Sequence, residues 1–131
     1  MAKHHPPDRH PVHDRAAVRT TALAMLAESA TFTIASLVHF GTRFTDAAIP
    51  ELVIAAALAL GGSWVLSKRR RNWGIAAGTV AFATFGTIVG LTIIATGRQD
   101  VPDLTYHASI LAALAATLTA LMRSGAAGRR Q

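Results

Sequence analysis

Four stretches of some twenty residues, at 17–40, 50–67, 73–96 and 102–122, carry almost no charge, and this pattern leaves few folds open. A helix rises 1.5 Å per residue, so about 20 apolar residues cross a hydrocarbon core of about 30 Å. The stretch at 50–67 is the shortest and needs its flanks to reach both interfaces. A soluble domain would carry roughly 25% charged residues; this chain carries 15%, against 51% apolar residues. The expected fold is therefore all-α: a four-transmembrane-helix bundle with short loops and up-down connectivity. The first stretch is too long for the apolar region of a signal peptide and has no convincing cleavage site at its end.

Orientation follows from the cations. Lys3, Arg9, Arg15, Arg19, Lys68, Arg69, Arg70, Arg71, Arg123, Arg129 and Arg130 fall on one side of such a bundle, and only Arg43 and Arg98 on the other. The positive-inside bias then puts both termini and the 68–71 loop in the cytoplasm, in a multi-pass protein of the plasma (inner) membrane. Lys68, Arg69, Arg70 and Arg71 act as topology determinant and lipid-headgroup anchor, each worth about 1 kcal/mol near an anionic surface. Trp64 and Trp73 flank that loop, where indoles favour the headgroup level. The net charge of +6 thus implies a bilayer partner and no nucleic acid. Residues 1–16 hold three prolines, the histidines His4, His5, His10 and His13, and no apolar periodicity, which reads as a disordered tail. Residues 124–131 form a short basic tail.

The two outer turns are alike. Gly41-Thr42-Arg43, Asp46 and Pro50-Glu51-Leu52 match Gly97-Arg98, Asp100 and Pro102-Asp103-Leu104. Gly stops a helix, Pro fits a first turn and an acid there favours the positive dipole end, so helix-terminus chemistry accounts for the match. Two hairpins of common origin would also produce it.

Glu28 falls near the middle of the first span, where an acid costs about 2.5–3.5 kcal/mol on insertion scales. It has to face the bundle interior, protonated or hydrogen-bonded, either as glue between helices or as a functional group. Thr31, Ser36 and His39 follow on its face. Asp103 precedes His107 by four residues, so the carboxylate can orient the imidazole. With Glu51 at the same depth, the candidate pocket comprises Glu28, Ser36, His39, Glu51, Asp103 and His107, near the outer face. Imidazole and carboxylate ligands suit a metal, and two histidines suit axial ligation of a haem with Arg43 and Arg98 near its propionates. The plainer reading gives each residue an interfacial or capping role, and no cofactor is expected on that reading. Gly74, Gly78, Gly86 and Gly90 form two GxxxG pairs on the third span, read as one helix-packing face for this chain or a second copy. There is no cysteine, and no phosphate-binding, serine-hydrolase or zinc-protease motif, so an enzyme is not indicated.

Leu37-Val38-His39-Phe40-Gly41, Pro50-Glu51-Leu52 through Gly61-Gly62, and Val101-Pro102-Asp103-Leu104-Thr105-Tyr106-His107 resemble small four-helix membrane proteins of high-GC actinobacteria. More distantly, the spacing of the spans and the acid opening the second helix are similar to DoxX-like proteins. The resemblance covers about residues 17–123 and implies a four-helix membrane fold; DoxX itself is linked to redox and oxidative-stress membrane assemblies. No position matches a motif of known role, so no catalytic residue is carried over. Two functions fit the sequence. One is a structural or accessory membrane protein that packs with itself or with a larger complex. The other is a binding protein for haem, metal or a lipophilic molecule.

Overall fold

The computed structural model describes residues 11–42, 45–67, 73–97 and 101–128, with side chains between 16 and 123. They form α1 (Pro11–Phe40), α2 (Thr45–Ser67), α3 (Trp73–Thr96) and α4 (Val101–Gly128), with no strand among the described residues. Each helix holds 23 to 25 residues long and apolar enough to cross a membrane. At 1.5 Å per residue that is about 35 Å, enough for the hydrocarbon core with a little to spare. The chain has the build of a small multi-pass integral membrane protein.

The helix ends differ from the sequence reading. α1 begins at Pro11, inside the stretch read as a tail. Proline suits a first helical position because its missing N–H would have had no partner there. α2 begins at Thr45, and Pro50 lies inside it. So near the N-terminus a proline removes only the bond to the Asp46 carbonyl, while Asp46 sits favourably at the positive dipole end. α4 continues past Met122 to Gly128. The matched Pro-acid-Leu segments therefore take different positions in their helices, Pro50 sixth in α2 and Pro102 second in α4. His4, His5, His10, Arg43, Lys68, Arg69, Arg70, Arg71, Arg98 and Asp100 lie outside the described residues.

Successive helices are neighbours, and α1 closes the square against α4. The α1–α2 pairing is the most extensive and α1–α4 the thinnest of the four. One register explains the first. Ser29 Oγ donates to the Ala55 carbonyl at 2.7 Å and Ser36 Oγ to the Ala48 carbonyl at 2.8 Å. A Cβ on Gly62 would stand 3.1 Å from the Ala22 carbonyl oxygen. Residues 22, 29 and 36 thus meet 62, 55 and 48, seven apart on both helices, the repeat of a left-handed pair. Small side chains let the backbones approach, and the serine hydroxyls use the carbonyls so exposed.

Met25, Phe32, Leu58, Val80, Leu114 and Leu121 fill the centre. Ile34, Leu37, Leu60, Phe85, Ile93 and Met122 point outward. In water such a surface would aggregate; against acyl chains it costs nothing.

The α3 glycines do not share one face. A Cβ on Gly86 would meet Ile54 Cδ1 at 2.7 Å and one on Gly90 would meet His107 Nε2 at 3.1 Å, whereas Gly74 and Gly78 have nothing within 4 Å. Helical geometry is the cause. Twelve residues at about 100° each leave Gly86 about 120° round from Gly74. Only Gly86 and Gly90 pack inside the chain; Gly74 and Gly78 face outward.

Candidate functional site

His39 is the penultimate residue of α1, and Glu51 lies in the second turn of α2, so the antiparallel pairing brings them side by side. Asp103 opens α4, and His107 follows one turn later on the same face. These four side chains form a ring that alternates imidazole and carboxylate. His39 Nδ1 and Glu51 Oε2 share a hydrogen bond of 2.6 Å. His107 Nδ1 lies 3.0 Å from the Asp103 carbonyl and 3.1 Å from Asp103 Oδ1. A carbonyl only accepts, so this nitrogen carries the hydrogen. The ring closes across the hairpins, with His39 Nε2 3.8 Å from Asp103 Oδ1 and His107 Nε2 4.0 Å from Glu51 Oε1.

Each histidine is thus oriented by a carboxylate of its own hairpin and faces a carboxylate of the other. Glu51 is only 4% exposed, and both histidines are buried. Glu51 Oε1 and the Tyr106 hydroxyl are buried without a hydrogen-bond partner. The Tyr106 ring stands edge-on to His107 at 5.0 Å and to Phe32 at 6.3 Å. Gly90 closes the α3 side, its missing side chain leaving room for the His107 imidazole.

A groove of about 410 Å³ runs between α1 and α4, lined by Thr31, Ile34, Ala35, Val38, His39, Thr42, Pro102, Asp103 and Tyr106. It lies where the helix pairing is thinnest, and its size falls in the range of roughly 300–1,000 Å³ usual for small-molecule sites. Its wall is almost entirely apolar, and His39 and Asp103 bring the ring to its edge.

The remaining candidates lie elsewhere. Glu28 is buried and accepts a 2.7 Å hydrogen bond from Thr117 Oγ1, while its Oε2 has no partner. It is eleven residues from His39, about 16 Å along the axis, and buried Phe32 interrupts the stripe between them. Ser36 is buried and serves the α1–α2 seam, not the ring. Thr31 is exposed and bonds back to the Ala27 carbonyl at 2.9 Å. Its offset and that of Ser36 from Glu28 place the two hydroxyls about 140° apart, so no continuous polar stripe forms. Ser29, Thr117 and Tyr106 were not singled out by the sequence reading. The seven-residue spacing of Ala22, Ser29 and Ser36 was the signal for the first; Thr117 and Tyr106 had none.

Among the described residues no group of three or more histidines and acids is arranged to hold a metal ion. Each imidazole has its Nδ1 tied within its own hairpin, His39 to Glu51 Oε2 and His107 to Asp103. The class so defined is a small four-helix membrane protein with an ionisable ring buried at one end of its bundle. No family model, curated protein or solved structure matches the chain.

Proposed function

We propose that this chain is a plasma-membrane binding protein that holds a small lipophilic molecule in the α1–α4 groove, with its polar part against the ring. The observation that carries this reading is the convergence of His39, Glu51, Asp103 and His107, from three helices, beside an apolar groove of about 410 Å³. Ionisable groups are costly inside a bilayer, and polar groups converging on an apolar pocket are the usual makeup of a ligand site. The excess of Lys and Arg on one side supports cytoplasmic termini, which puts the ring at the outer end. The test is solvent extraction and mass spectrometry of protein purified in mild detergent, with an absorption spectrum and elemental analysis on the same sample. Wild type should retain a lipophilic molecule that His39→Ala and Asp103→Asn lose; identical extracts from all three would refute the reading.

The accessory role has one observation of its own. Gly74 and Gly78 present a GxxxG step on the outside of α3, open to a second helix. On that reading Gly74→Ile with Gly78→Ile abolishes self-association or complex recovery in mild detergent, and unchanged association rejects it.

A further inference from the structure

The two contacts that close the ring across the hairpins have the same form. In each, an imidazole Nε2 faces a carboxylate oxygen, at 3.8 Å for His39 and Asp103 and at 4.0 Å for His107 and Glu51. Neither is a hydrogen bond, since N–H···O bonds run from about 2.7 to 3.2 Å. The Nδ1 atom of His107 carries its hydrogen toward Asp103, so in the neutral ring its Nε2 is a lone pair facing an acceptor. Glu51 Oε1, on the other side of that gap, is buried with no hydrogen-bond partner. Two acceptors about 4 Å apart are joined by a group that donates to both, at hydrogen-bond distance from each. A single proton supplies one such bond. A primary ammonium carries three N–H donors, like a lysine head, and brings a positive charge to a cluster holding two carboxyl groups.

The groove supplies the rest of the ligand. Below His39 and Asp103 its walls are Ile34, Ala35 and Val38, reaching as far as Thr31. From His39 to Thr31 is eight residues, about 12 Å along α1, and a groove of about 410 Å³ over that length holds one extended alkyl chain. Resting on the binding role proposed above, we infer that the site takes a single-chain amphiphile with a primary ammonium head, the chain in the α1–α4 groove and the head at the edge of the ring that His39 and Asp103 bring to the groove, donating inward toward Glu51 and His107. A quaternary ammonium has the charge without the donors. A fatty acid brings a third carboxylate to Glu51 and Asp103.

The test uses the full chain in phosphatidylcholine nanodiscs, which contain no primary amine, titrated with dodecylamine, dodecyltrimethylammonium, dodecanoate and dodecanol and read by native mass spectrometry. Dodecylamine should bind at least about tenfold more tightly than the other three, the scale of one charge-assisted hydrogen bond. Glu51→Gln and Asp103→Asn should each remove that preference. Ala35→Trp, which fills the groove without touching the ring, should abolish binding of every probe and guards against a ring variant that fails to fold. Equal binding of dodecanol and dodecylamine, both lost in Ala35→Trp, would overturn the ammonium head and leave the binding role standing. Displacement of dodecylamine by phosphatidylethanolamine would overturn the single-chain ligand, and displacement by Zn²⁺ the amine itself. No binding of any probe to wild type would remove both inferences.

Discussion

Thr117→Val removes a hydroxyl from α4 while keeping a branched side chain of the same shape, so no cavity opens. The hydroxyl donates to Glu28 Oε1 at 2.7 Å, a shorter link than either contact the ring makes between the hairpins. Glu28 Oε2 has no partner already, so the substitution leaves the whole carboxyl group unmet in the middle of the bundle. Interhelical hydrogen bonds in membranes average about 0.6 kcal/mol and reach about 1.7 kcal/mol. A buried group stranded by loss of its partner costs about 1–3 kcal/mol. Thr117→Val should therefore destabilise the fold by about 1–2 kcal/mol. Glu28→Leu removes the stranded group, so in that background Thr117→Val should cost little. The assay is reversible unfolding in mixed micelles of wild type, both single variants and the double variant. A coupling energy of about 1 kcal/mol is expected. A value inside the roughly 0.3–0.5 kcal/mol scatter of independent sites would refute the bond between Thr117 and Glu28.

Gly62→Ala places a methyl 3.1 Å from the Ala22 carbonyl oxygen, which belongs to a backbone that cannot step aside; a loss of about 1–3 kcal/mol in the same assay is expected. Ser29→Ala with Ser36→Ala deletes the two hydroxyl-to-carbonyl bonds of that seam and should cost about 1 kcal/mol in total, twice the membrane average. Gly86→Ile meets Ile54 while Gly78→Ile meets nothing, so the first should lower the thermal midpoint in detergent and the second leave the monomer's stability unchanged. Equal effects would show that the α3 faces are assigned wrongly.

Legibility followed the physics of each feature. The four spans were plain because a bilayer demands long uncharged runs, and no soluble alternative accommodates them. The meeting of His39, Glu51, Asp103 and His107 depends only on short turns and on depth, both of which can be read along the chain. The partner of Glu28 could not be read, because a threonine in an apolar helix ordinarily bonds its own backbone, as Thr87 does to the Ala83 carbonyl. A repeated GxxxG spacing suggests one glycine face on α3, yet 74 and 86 share a residue type and not an azimuth. Pro50 points to a helix start because proline favours a first turn, yet proline is also tolerated a few residues further in, as it is here in α2.

The ring itself is best tested by solid-state NMR of the protein in lipid bilayers, with ¹⁵N-labelled histidine and ¹³C-carboxyl-labelled glutamate. The 2.6 Å approach of His39 Nδ1 to Glu51 Oε2 should give a strong nitrogen-to-carboxyl contact that disappears in Glu51→Gln. If no such contact is seen, or if it survives that substitution, α1 and α2 do not meet in this register and the site does not exist.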